Sequence, residues 1–291
     1  MNKNFLTLAT FMTLLGFVSC SAEKHFHEDK VFAGGLYVSA KTLNKGKALY
    51  TEYCMACHGV NGDGKGVAAK AMKVPPRDFT KGIFKFGEVV SGELVHDSHL
   101  AKLLNKGLNG TAMLPWDLNG EQQHQLIQYI KTFAPEVWEG KDKELGEQIV
   151  VTKDPYGAAH RQAAIEAGKK IYHGEAACWS CHRAYVPREE LAQLADMDVA
   201  DIEDEAYQVK LQETEWGFKN LPPEFTWDHV RSVNSVEDMY VRLNAGVGGT
   251  TMPSWKGVLE DDQIWAVSHY VMSLMELRNS PERKAFIEKA K

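Results

Sequence analysis

The chain has 291 residues, 44% of them apolar and 25% charged, with a formal net charge of −6. Those values suit a soluble globular protein of about two domains, and the acidic balance excludes a nucleic-acid binder while favouring a basic protein partner. Five cysteines are present, four of them in two C-x-x-C pairs and the fifth at Cys20.

Residues 1–19 read as an export signal. Lys3 precedes an apolar run from Phe5 to Val18, too short to span a bilayer but suited to a signal-peptide core. The run ends in Phe17-Val18-Ser19-Cys20, which resembles a bacterial lipobox with Phe17 where Leu is usual. The resemblance implies cleavage before Cys20 and lipidation of its thiol, where several acyl chains make a durable anchor. Without Lys3 the mature chain carries −7. Residues 20–40 form a polar tether that gains order near Val31–Val38.

The remainder is a repeat. Leu43-Asn44-Lys45-Gly46-Lys47-Ala48-Leu49-Tyr50 leads into Cys54-Met55-Ala56-Cys57-His58, and Ala167-Gly168-Lys169-Lys170-Ile171-Tyr172 leads into Cys178-Trp179-Ser180-Cys181-His182. C-x-x-C-H is the attachment signature of c-type haem. On a helical turn the two thiols and the histidine share one face, so both sulfurs can form thioethers while the imidazole reaches the iron. A zinc half-site or a redox dithiol is the competing reading of each C-x-x-C, but a dithiol needs no histidine directly behind it.

Each pentapeptide is followed by a proline pair, Pro75-Pro76 and Pro222-Pro223, and then by short amphipathic helices expected at Leu100–Gly107 and Met239–Gly246. Next come Gly110-Thr111-Ala112-Met113-Leu114-Pro115-Trp116 and Gly249-Thr250-Thr251-Met252-Pro253-Ser254-Trp255. Apolar residues three and four apart predict closing helices over Gln122–Phe133 and Asp262–Met275, each with one buried face.

These motifs resemble two tandem class I (mitochondrial-type) cytochrome c domains, and the chain is similar to the dihaem cytochromes c of bacterial respiratory chains. The resemblance implies an all-α fold, with domain 1 over 41–134, a linker strap over 135–159, domain 2 over 160–277 and a tail over 278–291. It also implies two covalently bound haem c groups. Cys54, Cys57, Cys178 and Cys181 would form the thioethers; His58 with Met113 and His182 with Met252 would be the axial ligands. Met/His ligation fills the sixth position and raises the reduction potential. Met252 has the family's Met-Pro, whereas Met113 is followed by Leu114; His96, His99 and His124 are rival ligands in the first unit. One carbonyl from each proline pair would accept the imidazole N–H, and Trp116 and Trp255 would wall the haems or bond a propionate.

From His58 to Met113 is 55 positions and from His182 to Met252 is 70, so the second unit carries an insert, at 187–219. It is rich in carboxylates (Glu189, Glu190, Asp196, Asp198, Asp201, Glu203, Asp204, Glu205), with Leu191, Leu194 and Met197 suggesting an amphipathic helix. The expected function is one-electron carriage between redox proteins of a respiratory chain, on the periplasmic side of a bacterial membrane, with the lipid on Cys20 holding the chain to it. Carriage itself is not enzymatic. The alternatives are a haem enzyme of the dihaem peroxidase or thiosulfate-oxidising type, or a redox or gas sensor with a labile axial ligand.

Overall fold

The computed structural model describes residues 25–290. Cys20 and the signal segment lie outside the described residues. The first ordered element is a small antiparallel hairpin, β1 (Lys30–Phe32) and β2 (Leu36–Val38). It is turned by Gly34 and Gly35, both at positive φ, a conformation that glycine alone adopts without strain.

The first unit follows the hairpin. Helix α1 (Ala40–Tyr53) is capped by Ser39, whose hydroxyl accepts from the Thr42 N–H, and runs directly into α2 (Met55–His58). After two short 3₁₀ turns come α3 (Asp97–Lys106) and α4 (Gly120–Lys131). A capping box between Asn119 and Gln122 fixes the start of α4. The short α5 (Pro135–Trp138) closes the unit and buries Trp138 in its core.

In the second unit α6 (Arg161–His173) answers to α1, α7 (Arg188–Ala195) is added by the insert, and α8 (Val236–Ala245) and α9 (Asp261–Glu276) answer to α3 and α4. The 278–291 segment is not a loose tail: α10 (Glu282–Lys289) folds back, and Arg283 Nη2 reaches Glu224 at 2.8 Å. Phe286 and Ile287 of α10 pack on the second core. The described residues are thus all-α apart from the hairpin and a few isolated bridges.

In both units the first helix crosses a later one at a glycine, α1 on α4 and α6 on α9. A Cβ on Gly46 would stand 2.0 Å from the Gln125 carbonyl oxygen, and one on Gly168 2.0 Å from that of Ala266. Two helix backbones approach this closely only where one has no side chain.

The strap at 135–159 packs on both units. Gln148 pairs with Val89, Ile149 is buried against Val241 and Ala245, and Thr152 accepts from Trp265 Nε1 at 3.0 Å. The units themselves meet face to face. The Asn109 N–H donates to the Arg231 carbonyl at 3.1 Å, and the Gly248 N–H to the Lys85 carbonyl at 3.1 Å. Arg231 and Lys85 each lie six positions after equivalent phenylalanines, Phe225 and Phe79, so the contact has approximate two-fold symmetry.

Candidate functional site

Each C-x-x-C-H sits where the first helix of its unit ends. Cys54 closes α1, with its N–H donating to the Tyr50 carbonyl at 2.9 Å, and the His58 N–H donates back to the Cys54 carbonyl at 2.9 Å. In the second unit the His182 N–H reaches the Cys178 carbonyl at 3.0 Å. That i to i+4 bond keeps cysteine and histidine on one face, as the spacing predicts. All four cysteines are free and partly buried. Burial pushes the Cys54 and Cys178 thiols up to about 12.

The histidines are oriented from behind. His58 Nδ1 lies 3.0 Å from the Arg77 carbonyl, and His182 Nδ1 lies 3.0 Å from the Pro223 carbonyl. A carbonyl only accepts, so Nδ1 carries the proton and Nε2 keeps its lone pair, the arrangement a metal-ligating imidazole needs. Burial lowers the pKa of both imidazoles, His182 to about 4, favouring the neutral form. Phe79 and Phe225 stack on the two rings at 4.5 Å between centroids in each case.

One expectation fails here. The acceptor for His58 is neither Pro75 nor Pro76 but Arg77. The register is set by the stacked phenylalanine, which lies two residues after the acceptor in both units. Counted back from Phe79 that position is Arg77; counted back from Phe225 it is Pro223. The acceptor is a main-chain oxygen, so any residue can supply it.

The methionine loops are built alike. Thr111 Oγ1 accepts from the Met113 N–H at 3.1 Å and donates to the Leu108 carbonyl at 2.8 Å; Thr250 Oγ1 accepts from the Met252 N–H at 3.2 Å and donates to the Val247 carbonyl at 2.8 Å. The Met113 carbonyl accepts from Leu108 and the Met252 carbonyl from Val247. The threonine two positions before each methionine therefore fixes the loop, and the proline missing after Met113 leaves it unchanged. Met113 packs on the first core together with Cys54 and Trp116, and Met252 on the second together with Cys178 and Trp255.

The rival histidines are engaged elsewhere. His99 Nδ1 accepts from the Glu88 N–H, His96 Nε2 bonds the Gly146 carbonyl, and His124 is an exposed residue of α4. Two tyrosines from the repeated Gly-Lys-x-x-Tyr segments brace the motifs. Tyr50 donates to the Gly59 carbonyl at 2.6 Å and Tyr172 to the Arg183 carbonyl at 3.0 Å, each the residue after the motif histidine.

The donor set fits covalently bound haem: two free thiols and a neutral imidazole on one face, with a thioether loop packed on the same core. The indole Nε1 of Trp216, buried between the units without an acceptor, adds a polar atom that a bound group would satisfy. A fold of crossing helices around such a motif defines a c-type haem domain, present twice.

Comparison with known families agrees. Residues 43–134 match the cytochrome c family model, and residues 163–271 match the model for cytochrome c oxidase, cbb3-type, subunit III. No curated protein sequence matches the chain. Among solved structures, a chain of the reducing HAO-like protein complex of Kuenenia stuttgartiensis is 32% identical, with a TM-score of 0.63, over 79% of this chain and 95% of that one. The protein belongs to the cytochrome c family, with two tandem cytochrome c domains. It is an electron-transfer cytochrome carrying covalently bound haem c.

Proposed function

We propose that the chain carries two haems, each ligated by histidine and methionine, and passes electrons singly between redox proteins of a bacterial respiratory chain. Cys54 and Cys57 hold the first haem with His58 and Met113 as axial ligands; Cys178 and Cys181 hold the second with His182 and Met252. Bound there, each haem supplies an iron that cycles between ferric and ferrous states. The chain's own residues do the rest. The Arg77 and Pro223 carbonyls hold the imidazoles in one tautomer and raise their basicity, and Phe79 and Phe225 cover the rings from solvent. The identical threonine-braced methionine loops carry this reading, because a filled sixth position suits electron transfer and leaves no open iron for substrate chemistry.

The mature chain is placed on the periplasmic side of a membrane by lipid on Cys20. Among the described residues no helix is long and apolar enough to cross a membrane. The similar chain from a reducing HAO-like complex supports a role docked to a larger redox protein. The insert supports a basic partner: Asp196, Asp198, Asp201, Glu203 and Glu205 are exposed, while Arg188 ties down Asp204 at 2.5 Å.

Spectroelectrochemical titration of the purified holoprotein tests the ligation. Two one-electron transitions are expected, with a far-red methionine-to-iron charge-transfer band that Met113→Ala and Met252→Ala each reduce by about half. A band untouched by either substitution would remove that methionine from the site.

A further inference from the structure

The carbonyl behind His182 is held by a side-chain network that differs from the arrangement behind His58. Pro223, whose carbonyl lies 3.0 Å from His182 Nδ1, is followed directly by Glu224. The Glu224 side chain is only 13% exposed. Its carboxylate accepts from the Tyr185 hydroxyl at 2.9 Å, from the Thr226 hydroxyl at 2.9 Å and from the Thr226 N–H at 3.1 Å. Arg283 of α10 completes the set: its Nη2 donates to Glu224 at 2.8 Å while its Nε donates to the Thr226 carbonyl at 2.9 Å. Burial pulls the Glu224 carboxyl up, but the bonds from Arg283, Thr226 and Tyr185 outweigh it and hold the pKa below its usual value. A carboxylate so withdrawn from water is costly without such partners, so the four residues are fixed together.

The network grips the segment around Pro223 from two directions. Tyr185 lies three residues after His182, and its hydroxyl accepts from the Phe225 N–H at 2.8 Å while donating to Glu224. Phe225 is the ring stacked on His182. From the other end of the chain comes α10, with the Arg283 guanidinium 4.9 Å from the Trp227 ring centroid and the Phe286 ring 6.4 Å from that of Tyr185. The first unit meets the same need with main chain: the Phe79 N–H donates to the Gly62 carbonyl at 2.6 Å. Its equivalent acid, Asp78, accepts among the described residues from Thr80 alone. The two imidazoles thus have matching acceptors on supports of different kinds.

We infer that Glu224 and Arg283 are positioning residues of the second haem site, through which α10 holds the Pro223 carbonyl on His182 and sets that site's reduction potential apart from the first. This rests on the haem ligation proposed above. A carbonyl held in line draws more strongly on the Nδ1 proton, makes the imidazole a better donor and favours the ferric state. Loosening that carbonyl raises the potential of the second site alone. The C-terminal segment therefore has a redox task as well as a place in the core.

The test uses the holoprotein and its Arg283→Lys and Tyr185→Phe variants, which keep the net charge, with Lys284→Gln as an exposed control on the same helix. Lysine cannot span Glu224 and the Thr226 carbonyl together, and phenylalanine lacks the hydroxyl between Glu224 and Phe225. The second site is identified as the one whose transition Met252→Ala moves. In both variants its midpoint should rise, changing the reduced-to-oxidised ratio at fixed applied potential about two- to tenfold, the span one hydrogen bond supplies. In proton NMR of the reduced protein the His182 Nδ1–H should exchange faster with deuterated water, while the His58 proton and the first midpoint stay fixed. Lowered melting temperatures with potentials and exchange unchanged would overturn the inference, because the network would then be structural alone. So would equal shifts at both sites, or a shift in Lys284→Gln as large as that in Arg283→Lys, since distant charge would then account for the effect. Absence of two His/Met haem signatures in the wild-type protein would instead remove the reading on which the inference rests.

Discussion

At the scale of single residues, the two units perform one task with different chemical margins. Tyr50 and Tyr172 both brace the carbonyl after the motif histidine, but the Gly59 carbonyl also accepts from the Gly62 N–H, whereas the Arg183 carbonyl has Tyr172 alone. Arg183 is moreover held at φ 142°, a conformation a side-chain-bearing residue adopts only under constraint. Removing a hydroxyl that leaves a buried carbonyl unpaired costs about 1–3 kcal/mol. Tyr172→Phe should therefore lower the melting temperature by roughly 2–8 °C, and Tyr50→Phe by clearly less. Circular-dichroism melts of the two holoproteins check this; equal losses would mean that the second donor to the Gly59 carbonyl, the Gly62 N–H, contributes nothing. The same comparison shows what single-residue reading can reach. The thiols, imidazoles and methionines are side-chain chemistry and stand in the sequence as motifs. Arg77 acts through its carbonyl, which every residue has, and only the spacing to Phe79 could have pointed to it.

At the scale of elements, the helices were legible because apolar residues recur every three or four positions, and their ends were not. The closing helices run over Gly120–Lys131 and Asp261–Glu276, displaced by one or two residues from the periodic pattern, because the caps at Asn119 and Glu260 and not the apolar face decide where they begin. In the insert, α7 stops at Ala195 with Asp196 at positive φ, so Leu191 is buried while Met197 falls beyond the helix and is exposed. The strap's attachment to both units rests on isolated pairings with no periodicity to betray them. The repeated Gly-Lys-x-x-Tyr was visible as a motif, and its glycine acquires a cause only from the crossing helix. Gly46→Ala and Gly168→Ala must each push that helix away from a main-chain oxygen that cannot rotate aside. The expected cost is about 1–3 kcal/mol or more, with lowered haem incorporation in the affected unit alone. Haem-to-protein ratios after expression measure it, and full incorporation with an unchanged melt would show that the helices can slide apart freely.

At the scale of the whole molecule, the contact between the units decides how the protein responds to acid and to heat. His99 of α3 is buried there, with Glu88, His96, Lys102 and Arg242 acting on it, and its Nδ1 accepts the Glu88 N–H. Burial lowers its pKa below the ordinary 6.5. The unfolded chain then binds a proton before the folded one does, so stability is present above about pH 6.5 and is lost as the pH falls through the folded value. Urea midpoints should decline from pH 7 to pH 5, and His99→Gln should flatten that decline; an identical slope in the variant would clear His99 of the effect.

Heat tests the same contact more directly. Arg242 of α8 is only 7% exposed; its Nη1 donates across to the Gly87 carbonyl at 3.2 Å and back to the Gly246 carbonyl at 2.9 Å, and its Nε donates to Ser232 Oγ at 3.1 Å. Beside it Lys102 of the first unit bridges Glu88 at 2.5 Å and Asp238 of the second unit at 3.1 Å. Main-chain bonds from Ser91 to Ala245, Asn109 to Arg231 and Gly248 to Lys85 complete the seam. Opening it would strand a buried guanidinium and several carbonyls, so neither unit can unfold without destabilising the other. The holoprotein should therefore show one calorimetric transition, although each unit has its own core and its own haem site. Arg242→Ala leaves the Gly87 carbonyl unpaired and a void beside Phe86, costing about 2–4 kcal/mol at the seam while touching neither haem motif. Its expected result is two resolved transitions with the haem spectra unchanged. Two transitions already present in the wild-type protein would mean that the seam is too weak to couple the units, and a single transition in Arg242→Ala would move the coupling to the strap and the main-chain bonds.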